Sequence, residues 1–456
     1  MKELQQTYIT KFSSLLMFYI ILQPVLDIAT SISIMYYDST VTIGIVVRLL
    51  FMVLALIFII LTKKKFAILY IGALLLVIAI GFILAFVLKP NFSIFAEAQY
   101  YAKGFYFVVM FVSYTLALML LKQISEKNLI NIVMKPIVIA MTIVGVLFLV
   151  AAITGAGFDT YRHMKAGTKA WFNAGNEIGA ILSICLPIVI LFAIKATKNF
   201  KHVYYWLPAL LVIFSLIMLG TKVGYLAVMF TLIITFLLLG LLLMKKTDDR
   251  NIKPSFLIVT IILATVTVVS PYTPAFTNTG LHMSFIDENK DEEDLEEELE
   301  GIEDGAMIDS ELSNFVNDHP TISVILSGRQ FFWIETHEMF VEAPLIQKLF
   351  GMGYAGNYPK KPKLIEMDFL DLFYSYGIIG FFIFLLPFFY AIVKIIAKCR
   401  TYRYKILRVE FALVLTSLLL GAGIAFIAGH VLFAPAVSIY LAVLYAYIFA
   451  DFELVK

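Results

Sequence analysis

Four ionisable residues in the last third of the chain have types and spacings suited to acid–base chemistry on a charged substrate: Arg329, Glu366, Asp368 and Asp371. Arg329 stands in SGRQFFWIETHEMF, and the three carboxylates stand in EMDFLDLFYSYG, with a GMGYAGNY turn between the two segments. An arginine keeps its charge at any working pH and can clamp a phosphate through two parallel N–H bonds. Glu366, Asp368 and Asp371 fall around what reads as the first turn of a helix, where the helix dipole favours negative charge. Stabilising that helix start is one role for them. The other is general-base catalysis beside a phosphate whose charge a cation neutralises.

More cations recur at a distance. Arg162, Lys165 and Lys169 lie in DTYRHMKAGTKAWFNAGNEIGA, which ends in Asn176 and Glu177, and Lys222 lies in a GTKVG turn. Such cations can bind an anionic substrate or only lipid headgroups. Asp27 and Arg48 sit inside apolar stretches. They read either as an ion pair locking two helices or as a place where Arg48 meets an anionic ligand. The histidines at 163, 202, 282, 319, 337 and 430 show no zinc-binding spacing, and His430, between the last two apolar stretches, is the one of interest. Cys185 and Cys399 suggest neither a disulfide framework nor a metal site. No P-loop, dinucleotide fingerprint or nucleophile elbow is present.

The elements that must position these residues are membrane helices. Of 456 residues, 61% are hydrophobic and only 15% charged, with a mean hydropathy of +0.91. A soluble domain carries about a quarter of its residues as charges. The fold class expected is therefore an all-α polytopic membrane protein. A net charge of +2 gives no reason to expect a nucleic-acid partner. Spanning a bilayer takes about 20 apolar residues. By that measure twelve transmembrane helices are expected, at 13–36, 41–62, 66–88, 101–122, 133–155, 174–194, 203–219, 223–244, 254–272, 369–393, 407–428 and 431–450. Lysines and arginines follow every even-numbered span, as at Lys63 to Lys65, Lys195 to Lys201 and Lys394 to Arg408. The positive-inside rule then places both termini in the cytoplasm.

That orientation leaves one large external loop, 273–368, between a membrane block at 1–272 and a second at 369–456. Its run from Asp287 to Asp304, DENKDEEDLEEELEGIED, repels itself and reads as a solvated linker or exposed helix. It lacks the alternating spacing of a calcium loop. After Pro320 the loop becomes aromatic, and Ser327 is placed to cap a helix running to about Val341, which Pro344 would end.

These motifs resemble the O-antigen ligase and polymerase superfamily of bacterial membrane proteins. The resemblance lies in Arg162, Gly167 and Asn176 before a span, the GTKVG turn, SGRQFFW with Arg329, and GMGYAGNY followed by EMDFLDLFYSYGIIG. It covers roughly 155–225 and 325–380. Family ligases place a His-Asn pair where this chain has Glu366 and Met367, which favours a polymerase-like or wall-glycan branch. The resemblance implies a metal-independent GT-C-type glycosyltransferase without a cofactor. Its donor would be a glycan on undecaprenyl pyrophosphate, its acceptor a sugar hydroxyl, and its setting the outer face of the cell membrane during envelope polysaccharide synthesis. On that reading Arg162, Lys222, Arg329 and Arg48 bind the pyrophosphate, and Glu366, or failing that Asp368, accepts the proton. A transporter or flippase of an envelope precursor is the rival, although its polar groups would be expected near the midplane. A scaffold of envelope-biosynthesis partners is a third reading.

Overall fold

The computed structural model describes residues 2–39, 41–124, 128–161, 165–245, 250–278, 326, 328–358, 362–397, 400–401 and 408–453. Arg162, Ser327 and the acidic run 287–304 lie outside the described residues. The secondary structure described is helical. In chain order the helices are α1 (Lys2–Tyr37), α2 (Ile43–Thr62), α3 (Lys65–Leu88), α4 (Ile94–Ile124), α5 (Leu129–Thr154), α6 (Gly175–Ala196), α7 (Leu207–Leu219), α8 (Lys222–Met244) and α9 (Ile252–Val269). Then come α10 (Arg329–Glu342), α11 (Leu345–Phe350), α12 (Asp368–Ala397), α13 (Val409–Ile427) and α14 (Pro435–Asp451).

Among the described residues eleven helices are long and apolar enough to cross a membrane, α7 together with the 3-10 stretch Phe200–Trp206 that leads into it. The twelfth expected span is α14, a shorter apolar helix of 17 residues. It begins later than hydropathy suggests because Gly429 and His430 both take left-handed backbone (φ 63° and 59°), and Pro435 then opens the helix. The chain is a multi-pass membrane protein. Several of its helices end at legible stops. Lys63 (φ 53°) ends α2 and Gly155 (φ 64°) ends α5, both left-handed. Gly220 (φ 75°) ends α7, and Thr221 immediately caps α8 by accepting from Gly224 N–H at 3.2 Å.

The core runs along α4, α6 and α14, whose buried faces carry Tyr114, Phe107, Cys185 and Tyr440. α4 packs most extensively on α14, and α6 on α13. At the end of the bundle where α4 finishes, Lys122 pairs with Glu453 at 2.8 Å and donates to the last carbonyls of α14, Ala450 O and Asp451 O. Lys195 pairs there with Glu410 at 2.9 Å, tying α6 to α13.

The opposite end holds the polar machinery. α10 starts at Gly328 (φ 82°) with no side-chain cap and ends at Glu342 before Pro344, so its length matches expectation while its start rests on a glycine. It sits on a small core of its own, with Ala343, Met352, Ile365, Met367 and Tyr374 buried beneath Phe332 and Phe340. α12 is broken at Gly377 (φ 67°, ψ 179°). The break frees the carbonyls of Tyr374 and Ser375, which accept from Met352 N–H (2.9 Å) and Gly353 N–H (3.2 Å). Tyr101 Oη also donates to Ser375 O at 3.2 Å. The GMGY turn is thereby bonded to the broken helix, and the backbones touch. A Cβ on Gly351 would lie 2.0 Å from Ser375 O, and one on Gly377 would lie 2.4 Å from Gly351 N.

Candidate active site

The first turn of α12 organises the site. Asp371 accepts from Ile365 N–H (3.0 Å) and Met367 N–H (3.2 Å), the amides on either side of Glu366. Asp368 accepts through one oxygen from Val431 N–H (2.8 Å) and Leu432 N–H (2.7 Å), directly after His430. Glu366 (φ 62°) and His430 (φ 59°) are both in the left-handed region, which non-glycine residues occupy only where their surroundings impose it. Each is thus held by a buried carboxylate gripping its neighbours. The two turns also abut, since a Cβ on Gly429 would come within 2.4 Å of Glu366 O.

The held side chains meet. Glu366 Oε2 lies 3.4 Å from Arg329 Nη2 and 3.6 Å from His430 Nε2. Arg329 comes from the first residue of α10 and also donates to Leu326 O at 3.3 Å, while its buried Nε has no partner among the described residues. Glu366 remains about a third exposed, at 36%, whereas Asp368 is 3% exposed. Glu366 is therefore the accessible carboxylate, and Asp368 is occupied with backbone. Burial works against charge on Glu366, but contact with His430 and the charges of Arg329 and Lys363 outweigh it and hold the carboxyl below its ordinary value. Burial also opposes charge on His430, and Glu366, helped by Asp368 and Glu177, raises the imidazole above its ordinary value.

Ionisable groups on the membrane helices form a second cluster, linked to the first through His430. The charges of Asp27, His430, Arg48 and Lys103 all act on Glu177 at the start of α6. Arg48 pairs with Asp27 and donates to Gln23 Oε1 from Nε (3.3 Å) and Nη2 (3.2 Å), so the expected pair between α1 and α2 is formed. Sequence reasoning passed over Lys103, a charge inside α4 among tyrosines, which the cost of intramembrane charge could have flagged.

Lys222 opens α8 in the turn beside α6, where a Cβ on Gly179 would sit 2.9 Å from Leu219 and 3.8 Å from Thr221. Asn278 fastens this turn to the segment between α5 and α6, donating to Ala166 O (2.7 Å) and Gly220 O (2.9 Å) and accepting from Ala166 N–H (2.9 Å). These contacts place Lys222 and Lys165 on neighbouring turns.

Two further features were not foreseen. Lys89 and Glu97 form a buried ion pair at 2.5 Å. Lys89 donates to Tyr354 O while Glu97 accepts from Tyr354 N–H at 2.8 Å, so the pair holds both backbone groups of one GMGY residue. Between α10 and α12 lies an aromatic groove of about 560 Å³ lined by Trp333, His337, Phe369, Phe373 and Tyr374. Within it Trp333 Nε1 donates to Tyr374 Oη at 3.1 Å, and the same hydroxyl bonds His337 Nδ1 at 3.1 Å.

No curated protein and no solved structure matches the chain. A family model does, over residues 9–455, and its match supports a role in membrane glycan ligation or polymerisation. By that match, which takes in nearly every residue, the chain belongs to the O-antigen ligase like membrane protein family.

Proposed function

We propose that this protein transfers glycan from a polyprenyl-pyrophosphate donor to a sugar hydroxyl at the outer face of the cell membrane, in envelope polysaccharide synthesis. The observation that carries this reading is the trio of Arg329, Glu366 and His430 at one end of an apolar helix bundle. Glycosyl transfer needs a cation for the departing diphosphate and an acceptor for the hydroxyl proton. Arg329, whose Nε has no partner among the described residues, offers the first, and the carboxylate–imidazole pair offers the second. In this reading Lys222, Arg162 and Arg48 supply further charge to the pyrophosphate. The aromatic groove, one turn from Arg329, suits the apolar part of a lipid-linked donor.

The test is deletion of the gene, complementation with Arg329→Ala and Glu366→Ala, and analysis of envelope glycan with membrane insertion checked. Both variants should lose at least about 100-fold of the product. Full glycan from both overturns the reading. In the deletion strain, accumulated single repeat units indicate a polymerase, and unattached full-length chains indicate a ligase.

A further inference from the structure

We infer that His430 is the group that accepts the acceptor hydroxyl's proton, and that Glu366 is its positioning partner rather than the base itself. The inference rests on the glycosyl-transfer reading above and assigns the proton within it. His430 turns Nε2 toward Glu366 at 3.6 Å, which leaves Nδ1 without a hydrogen bond among the described residues. A carboxylate facing one ring nitrogen fixes the ring's orientation and tautomer, so that the other nitrogen presents its lone pair. Glu366 has the opposite situation, because its Oε2 faces both Arg329 and His430. A carboxylate that faces a guanidinium and an imidazole N–H is a weak base, since taking a proton would forfeit both attractions.

The backbone agrees with this division. Asp368 secures the two amides after His430 and Gly429 lets that turn lie against Glu366 O, so the imidazole is held as firmly as the carboxylate. The ring is 33% exposed, open enough to meet a substrate. The charged groups facing it are Glu366 and Asp368 from the α12 end and Glu177 from α6. Arg329 and Lys363 act in turn on Glu366, and Asp27, Arg48 and Lys103 on Glu177.

In the step itself the acceptor oxygen forms its bond to the anomeric carbon as the carbon–phosphate-oxygen bond breaks. The electron pair leaves with the diphosphate beside Arg329. The hydroxyl proton moves to Nδ1 of His430 and passes afterwards to water or the released diphosphate. Beyond donor and acceptor, no oxidant, reductant or other reactant is required.

The two assignments predict opposite movements of the pH profile. The assay uses the full-length protein in lipid nanodiscs with undecaprenyl-diphosphate-linked oligosaccharide from the deletion strain as probe. If His430 is the base, activity rises through the imidazole range. Glu366→Gln then moves that rise to lower pH by about 1 unit and keeps part of the activity, because the carboxylate no longer favours the imidazolium. His430→Asn, chosen because asparagine tolerates left-handed backbone, loses at least about 100-fold and flattens the rise. Added imidazole restores activity to His430→Ala but not to Arg329→Ala.

If Glu366 is the base, activity rises through the carboxylate range, His430→Asn shifts that rise to higher pH, and Glu366→Gln is dead. Either of those last two results overturns the inference while glycosyl transfer stands. Unchanged product from Arg329→Ala instead overturns the glycosyl-transfer reading.

Discussion

Asp368, in the first turn of α12, holds the turn of His430 by its backbone. Its Oδ2 accepts from the amides of Val431 and Leu432 and so pins the turn in which His430 adopts φ 59°. Asp371, three residues on, does the same for Glu366 by accepting from Ile365 and Met367. One helical turn thereby fixes two loops far apart in sequence, each carrying one member of the site pair.

Asp368→Ala should accordingly cost more than a surface substitution. It strands two buried N–H groups, each worth about 1–3 kcal/mol when left unsatisfied. The expected result is a clear loss of thermal stability in detergent with activity falling further than stability explains, because the His430 turn is released. Asp371→Ala should lower stability similarly and loosen Glu366. Thermal melts and glycan assays on the same preparations check both, and an Asp368→Ala protein with wild-type melting and activity would refute the clamp.

The contact between the GMGY turn and the break in α12 makes a sharper steric prediction. Gly351→Ala puts a carbon 2.0 Å from Ser375 O, and Gly377→Ala puts one 2.4 Å from Gly351 N. Both neighbours are backbone, and both glycines have positive φ (98° and 67°). Neither variant should accumulate as folded protein. Gly72→Ala and Gly423→Ala meet nothing within 4 Å and serve as controls that should express normally. Membrane yield by immunoblot and monodispersity on a sizing column report the outcome.

The ion pair of Lys89 and Glu97 is 2% and 1% exposed and holds Tyr354 by both backbone groups. Removing one partner of such a pair leaves an uncompensated buried charge, at about 3–5 kcal/mol. Lys89→Met alone and Glu97→Gln alone should each be strongly destabilising. The double variant should be less destabilised than the sum of the singles, since no charge then remains buried. Additive losses in a melting series would show that the pair is not coupled.

How far the sequence disclosed all this depends on the range of each signal. Apolar runs and basic loops are local, so the membrane helices were legible, although α1 and α4 begin 11 and 7 residues before the apolar runs that marked them, at Lys2 and Ile94. α14 was misjudged at its start because the left-handed backbone at Gly429 and His430 leaves no mark in hydropathy. Arg329 and Glu366 stood out as ionisable residues in one distinctive loop. Their partner His430 arrives from the connection between α13 and α14, and nothing in the string of residues signals that meeting. Asp368 and Asp371 read equally well as bases or as helix-start carboxylates. Only their bonds to Val431, Leu432, Ile365 and Met367 separate those roles. Lys89 lay in a connection too short to draw notice, and its value comes from Glu97 and the distant Tyr354.

The pair of Glu366 and His430 also ties stability to pH, with a sign that can be worked out for each member. Burial opposes charge on Glu366, but His430, Arg329 and Lys363 hold its carboxyl below its ordinary value in the folded protein. Its contribution is therefore present above the unfolded carboxyl value and is lost as pH falls through the lower folded value. Burial opposes charge on His430 too, but Glu366 and its neighbours raise the imidazole. That contribution is present below the unfolded imidazole value and is lost as pH rises through the higher folded value. Both hold only between the two ranges, in mildly acidic solution. The melting temperature of the wild type should exceed that of His430→Asn most clearly there. The gap should narrow both in strong acid, where Glu366 is protonated, and in alkaline solution, where His430 is neutral. With each side chain about a third exposed, solvent screening keeps the effect small, and added salt should shrink it further. Melts across a pH series at low and high salt decide the matter, and a gap constant from acid to alkali would exclude the ion pair as its source.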